Sequence, residues 1–417
     1  MRSPELLGRR ENGVWIYQGI PYATLEDRFG PPQPPPPGFR DATTPGPTAP
    51  QETRSFPGTD LAAILGPGWE PGPGYLTVNV WTPDSPARDL PVMVFVHGGG
   101  FLSGSGHAPM YDGTTFARDG VVLVTLNYRL GAVGWLDLPD APRNRGLLDV
   151  LAALRWVRAH IAGFGGDPGN VTLFGQSAGA MLIAALLATP EADGLVHRAI
   201  SQSGGAHVFS PAQAERVTAA LAAKLDVAPT ARAFAGIGDA DLVRAGAELR
   251  VDTRYDRSLG VSPFKPVVDG ALELAPVDFV IGTNENEADL YVFEPVTDAD
   301  VLAAATRRHP EPERLAASYR ARFARPADQW SALVTEQFET GSTQLAGAHR
   351  GRVWTYRFGR DGGAPHCAEL PFVFGPGPLH DAWVAFATTG DPGWAPHPAA
   401  KRFSIAAHEP GRPATRY

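Results

Sequence analysis

The chain has 417 residues, 43% hydrophobic and 19% charged, with a net charge of −8. That composition supports a sizeable buried core, and with no clustered Lys/Arg stripe it excludes nucleic acid as the natural partner. A single cysteine, Cys367, excludes an intrachain disulfide and fits a reducing compartment, while no apolar run approaches the roughly 18 residues that a membrane-spanning helix needs.

The chain opens Met1-Arg-Ser-Pro-Glu-Leu-Leu-Gly-Arg-Arg, with no apolar stretch of the kind that leads a secreted protein. Together with abundant Ala, Gly, Pro and Arg and scarce Lys, this predicts a cytoplasmic bacterial protein. Residues 13–22 read as a short strand and turn. Pro31 to Pro37 follows; its fixed φ angles favour extended polyproline II, so it reads as a surface connection. Tyr75–Thr82 alternates as a strand. Pro91–Val96 and Val121–Leu126 are short continuous apolar runs, as expected of strands covered on both faces in a parallel sheet. Gly146–Ile161 carries an apolar stripe at helical spacing. Asn170–Phe174 reads as a strand and Ala178–Ala188 as a very apolar helix. His197–Gln202, Asp278–Ile281 and Val353–Phe358 supply later strands, and residues 211–250 and 298–350 read as helices. Strands alternating with helices predict an α/β fold, a doubly wound and mostly parallel sheet.

Gly175-Gln-Ser-Ala-Gly179 matches G-x-S-x-G. The apolar run Val171–Phe174 leads directly into it and a small-residue helix follows, the strand–turn–helix setting that exposes a serine hydroxyl on a strained turn. Ser177 is therefore the candidate nucleophile. His97-Gly98-Gly99-Gly100-Phe101 follows the strand ending at Val96 and is an HGGG type of loop. Backbone N–H groups of Gly99, Gly100 and Ala178 are the candidate donors to a tetrahedral oxyanion, each typically worth about 3 kcal/mol of transition-state stabilisation.

A serine hydroxyl needs a base, and a histidine base needs a carboxylate to fix its tautomer. In the chain order Ser, acid, His, the histidines after Ser177 run from His197 to His408. His366 stands out because it follows the strand ending at Phe358 by eight residues, in a loop at a strand's C-terminal end, where such folds gather their sites. For the acid, Asp278-Phe-Val-Ile-Gly-Thr-Asn-Glu-Asn-Glu287 and its continuation offer Glu285, Glu287 and Asp289. Placement alone does not choose among the three.

The sequence resembles the type-B carboxylesterase/lipase family, which includes the cholinesterases. The resemblance is carried by Gly19-Ile-Pro-Tyr-Ala23, Leu76-Thr-Val-Asn-Val-Trp81, His97–Gly104, Asn127-Tyr-Arg-Leu-Gly131, Asn144–Asp149, Ala153–Val157, the block Ile161–Gly179, Pro266-Val-Val-Asp-Gly270, Gly282–Glu287 and Ala382–Phe386. It covers nearly the whole chain and implies one α/β-hydrolase domain over residues 1–417, with helical covering segments at about 205–265 and 288–345. It implies a carboxylesterase acting on small-molecule esters, with no metal and no cofactor. The family's acid falls on Glu287, five residues after the glycine of its G-T-x-x-x-E pattern. Its histidine falls on His366, three residues before the Glu-x-Pro-Phe-Val-Phe stretch. Its oxyanion donors map to Gly99, Gly100 and Ala178, and a buried serine that supports the acid maps to Ser203.

Three departures set this chain apart from that pattern. The usual E-D-C segment is replaced by Pro73-Gly74-Tyr75, which removes a glutamate that often pairs with the arginine mapping to Arg28. Only Pro376–Asp381 joins Phe372–Gly375 to Ala382, and the region after Glu287 is trimmed, so a shallower gorge is expected. Cys367 beside His366 reads as a bystander. An amidase or thioesterase with the same triad, and a non-catalytic cholinesterase-like binding protein, are the alternatives to an esterase. Residues 55–72, 205–265 and 288–345 are expected to form the pocket walls.

Overall fold

The computed structural model describes residues 6–38, 40–53, 61–253, 262–292 and 295–405. Residues 1–5 and parts of the 55–72 and 205–265 walls and of the segment after Glu287 thus lie outside the described residues. Ten strands form one sheet: β1 (Arg9–Glu11), β2 (Val14–Pro21), β3 (Thr77–Pro83), β4 (Leu90–Val96), β5 (Val122–Leu126), β6 (Gly166–Gln176), β7 (Arg198–Gln202), β8 (Asp278–Asn284), β9 (Val353–Arg360) and β10 (Ala400–Ile405). Their order is β10-β9-β8-β7-β6-β4-β5-β3-β2-β1. All pairings from β5 to β10 are parallel, and only the β1–β2, β2–β3 and β3–β5 pairings are antiparallel.

The apolar runs account for the middle of this sheet. Val92, Val94 and Val96 of β4 join one buried cluster, while Met93 and Phe95 join the other. A strand with apolar side chains on both faces must be covered on both, which is why these runs lack polar alternation. Helices α1 (Arg145–His160), α2 (Ala178–Leu187), α3 (Pro211–Leu225) and α4 (Asp239–Thr253) follow in chain order, then α5 (Asp298–Arg308), α6 (Pro312–Arg320) and α7 (Pro326–Ala348), then α8 (Leu370–Phe374) and α9 (Pro378–Thr389). The expected helix over 146–161 and the expected strands agree with these to within a few residues, although β6 starts earlier than its apolar part. In the Pro-rich stretch, Gln33 forms a bridge with Thr24, and residues 31–37 are exposed or half-buried. No helix among the described residues is long and apolar enough to cross a membrane.

One buried ion pair ties three chain segments together behind the sheet's C-terminal edge. Arg129, just after β5, bonds through Nη2 to Asp149 Oδ1 at 2.7 Å and through Nε to Oδ2 at 2.8 Å, and its own backbone N–H donates to Oδ2 at 2.9 Å. The guanidinium also donates to the carbonyls of Gly30 at 2.6 Å and Arg28 at 3.1 Å. Both side chains are fully buried. Removing one partner strands the other charge away from water, so Asp149→Ala should destabilise the fold by about 3–5 kcal/mol in urea unfolding. A loss below about 1 kcal/mol, the range of an exposed pair, would show that the pair does not hold these segments.

Candidate active site

The parallel strands β4, β6, β7, β8 and β9 end at one edge of the sheet, and the candidate residues follow those ends. Ser177 comes directly after β6 and directly before α2. Its φ of 55° and ψ of −121° are a rare backbone state for a side chain other than glycine. The turn is possible because the chain doubles back against Val96 with almost no clearance. A Cβ on Gly179 would stand 2.0 Å from the Val96 carbonyl oxygen, and one on Gly175 would stand 2.7 Å from it. The flanking glycines of the motif are therefore steric necessities. Ser177 is only half-buried, whereas every residue from Val171 to Gln176 is buried.

Glu287 opens a short 3-10 turn after β8 and is fully buried. Its Oε1 accepts from Ser203 Oγ at 2.5 Å and from the Asn284 backbone N–H at 2.7 Å. Its Oε2 accepts from His366 Nδ1 at 2.6 Å, and its own carbonyl accepts from the His366 backbone N–H at 3.1 Å. A carboxylate can only accept, so His366 carries its proton on Nδ1 and its Nε2 lone pair faces the other way. Nε2 lies 3.1 Å from the side-chain amide nitrogen of Gln176, the residue before Ser177. Among the described residues, the hydrogen-bond partner of that lone pair is thus the amide of Gln176 and not the hydroxyl of Ser177. The rings of Phe338 on α7, with centroids 5.0 Å apart, and Tyr291, at 5.8 Å, flank the imidazole.

The glycine loop after β4 is shaped by close contacts. Gly99 has a φ of 110°, and a Cβ there would stand 1.9 Å from the Ser103 carbonyl oxygen. A Cβ on Gly98 would stand 2.7 Å from Gln176 Oε1 and 3.2 Å from Ser177 Cβ, so this loop runs directly beside the serine turn. Ser262 Oγ donates to the Gly100 carbonyl at 2.8 Å, and Tyr128 OH donates to the His97 carbonyl at 2.9 Å, which anchors the loop at both ends. Ala178 is the first residue of α2, so its N–H is among those that a helix leaves without an intrahelical partner.

The sequence left three carboxylates open, and the structure gives each a separate surrounding. Glu285 pairs with Arg402 at 2.7 Å, Asp289 accepts from Ser331 Oγ, and only Glu287 meets a histidine. Arg28, bereft of the family's glutamate, pairs instead with Asp239 at 2.6 Å and with the Phe234 and Ala235 carbonyls near the start of α4. Cys367 is buried, with a φ of 72°.

Two neighbours of the site were not singled out by the sequence reading. Asn284 bonds Glu287 through its backbone, and through its side chain it donates to Glu369 Oε2 at 2.6 Å. Glu369 also accepts from Gln202 Nε2 at 3.2 Å. It is fully buried, and burial followed by the nearby Glu287 charge pushes its carboxyl above the usual carboxylate range. The available signal was its place three residues after His366, about one helical turn on.

The model of the "Carboxylesterase family" matches residues 4–309. The chain is 36% identical to a para-nitrobenzyl esterase of Bacillus subtilis, over 92% of this chain and 88% of that protein. It is 34% identical to a phenmedipham hydrolase of Pseudarthrobacter oxydans, over 93% and 89%. A solved PNB esterase superposes with a TM-score of 0.80 at 33% identity, covering 95% of this chain and 92% of that one. A Geobacillus stearothermophilus carboxylesterase superposes with a TM-score of 0.77 at 33% identity, covering 95% and 91%.

A carboxyl group whose folded pKa is raised holds its proton more tightly folded than unfolded, so its contribution to stability is lost as pH rises through the raised value. Glu369→Gln removes that dependence. Urea unfolding from pH 4.5 upward should therefore show the variant gaining on wild type as pH rises, whatever its absolute stability. Parallel stability–pH curves would mean that Glu369 is ionised in the fold.

Proposed function

The chain belongs to the carboxylesterase family and hydrolyses carboxylic esters, and from that premise we propose that it works through an acyl-enzyme on Ser177, with His366 as base and Glu287 as acid. The observation that carries this reading is the 2.6 Å bond from His366 Nδ1 to a buried Glu287, with Nε2 turned toward the serine turn. Ser177 Oγ attacks the ester carbonyl as its proton passes to His366 Nε2. The imidazole must first leave the Gln176 amide for the hydroxyl; apo sites often show such loose geometry and tighten with substrate. Glu287 fixes the tautomer and stabilises the imidazolium that forms, while Ser203 and the Asn284 N–H hold the carboxylate in place.

As the oxygen–carbon bond forms, the carbonyl electrons move onto oxygen, where the N–H groups of Gly99, Gly100 and Ala178 hold the oxyanion. The imidazolium returns its proton to the departing alcohol, leaving the acyl group on Ser177. A water molecule then gives its proton to His366, attacks the acyl carbon and releases the acid by the same route. The helices of residues 211–253 and 298–348 serve as the covering segments around a small-molecule ester.

Ser177→Ala should lower kcat on a p-nitrophenyl ester by about 10⁶, the size of effect when a triad nucleophile is removed. Glu287→Gln, which keeps the shape but offers the wrong tautomer, should lower it by about 10⁴. A fluorophosphonate should label wild type once per chain, at Ser177. Less than a tenfold loss in Ser177→Ala, or labelling elsewhere, would end this assignment.

A further inference from the structure

An oxyanion donor works only if it is aimed, yet glycine is the residue whose backbone turns most freely. The direction of each N–H in the glycine loop is tied to the carbonyl before it. In a trans peptide the C=O and the next N–H share one plane and point opposite ways. The Gly98 carbonyl therefore aims the Gly99 N–H, and the Gly99 carbonyl aims the Gly100 N–H.

Both carbonyls rest on the returning leg of the same loop, residues 102–104. The Gly99 carbonyl accepts from the Leu102 N–H, the Ser103 N–H and Ser103 Oγ, each at 3.2 Å. The Gly98 carbonyl accepts from His97 Nδ1 at 2.8 Å, and Gly104 backs that contact. A Cβ on Gly104, whose φ is 118°, would stand 2.3 Å from His97 Nδ1 and 2.5 Å from the Gly98 carbonyl oxygen. The bond from Ser262 to the Gly100 carbonyl fixes a different peptide, that of the Phe101 N–H.

A side chain from a distant segment holds the returning leg in place. Gln51 lies between β2 and β3 in the chain. The Gly104 N–H donates to Gln51 Oε1 at 2.7 Å, and Gln51 Nε2 donates back to the Gly104 carbonyl at 3.0 Å. The same Nε2 donates to the Ala49 carbonyl at 3.2 Å, which sets the plane of the amide. Its own segment is fixed in turn, since Thr48 Oγ1 donates to the Gly68 carbonyl at 2.6 Å and accepts from the Glu70 N–H at 2.7 Å. Gln51 and every residue from Ser103 to Gly106 are buried, so water cannot replace these bonds.

We propose that Gln51 is a positioning residue for the oxyanion donors. Its paired bonds to Gly104 press the returning leg against the Gly98 and Gly99 carbonyls and so keep the Gly99 and Gly100 N–H groups aimed at the oxyanion. This rests on the Ser177 acyl-transfer reading and adds to it a residue outside the triad.

Gln51→Met keeps the length of the side chain and removes both bonds. Activity is read per site titrated by the fluorophosphonate, which removes any unfolded fraction from the comparison. On a p-nitrophenyl ester kcat should fall by about tenfold or more, with KM within about threefold of wild type. A trifluoromethyl ketone, which becomes an oxyanion on adding the serine, should bind more weakly by the factor lost in kcat/KM. The midpoint of the kcat–pH profile should not move, because the base and its carboxylate are untouched. Wild-type kcat, a loss confined to KM, or a moved midpoint overturns the proposal. Should Gln51→Met yield no titratable site, Gln51→Glu decides. It keeps the acceptor for the Gly104 N–H and loses the amide donor, so kcat should fall by about threefold or more, and wild-type kcat there overturns the proposal. If wild type is labelled at Ser177 and these variants match it, this inference alone fails. If wild type is not labelled, the acyl-transfer reading fails with it.

Discussion

A carboxylate taken wholly out of water must have its charge satisfied by the protein, and in this fold that requirement falls on Glu287. Its two oxygens accept from Ser203, Asn284 and His366. Those donors come from the end of β7, the end of β8 and the loop after β9. Three neighbouring parallel strands must therefore keep their register for one group to be satisfied: Gln202 opposite Gly282, and Gly282 opposite Tyr356. Sheet and site are one constraint. A slip of any of these strands would leave a buried charge short of a donor, at a cost comparable to a large share of a domain's net stability.

The sheet's middle was legible because burial on both faces writes itself as continuous apolar runs, and the serine turn because close approach to Val96 admits only glycine at positions 175 and 179. What the residues alone did not yield has equally physical causes. Glu285, Glu287 and Asp289 lie within five positions, and a strand ending in a 3-10 turn sends them in different directions, toward Arg402, His366 and Ser331. Only the resemblance to a known family picked out Glu287. Strand β10 went unread because it is an edge strand with a single buried side chain, Phe403, so its sequence carries no apolar run. The histidines that competed with His366 are occupied in structural roles, such as His197 accepting from the Val171 N–H and His380 lying between the Val373 carbonyl and Asp119. Those roles depend on contacts distant in sequence.

The replacement at Pro73-Gly74-Tyr75 illustrates how such a fold absorbs the loss of a charged partner. Arg28 retains a carboxylate partner, but the partner now comes from Asp239 in the first turn of α4, and three carbonyls preceding that helix share the guanidinium. A planar group with five donors can be satisfied by several weak acceptors as well as by one strong one. The replacement also fixes the approach of α4 to the rest of the chain, and α4 carries Gly246 against Phe264 and Leu102.

Charge around the imidazole can be reckoned group by group. Glu369, the other carboxyl close to Glu287, has its ionised form disfavoured by burial and by Glu287 itself. Gln176, at the outer nitrogen, brings an amide with no net charge. Glu287, bonded to Nδ1, is the carboxylate placed directly against the positive charge that forms on His366 in the proposed reaction. A second ionised carboxylate would favour the imidazolium before substrate arrives and so withdraw the lone pair that must accept the serine proton. The amide instead occupies that lone pair by a neutral, breakable hydrogen bond, weaker than any the carboxylate makes. In the proposed reaction the electrostatic stabilisation of the protonated ring comes from Glu287 at Nδ1, while Gln176 at Nε2 adds no net charge.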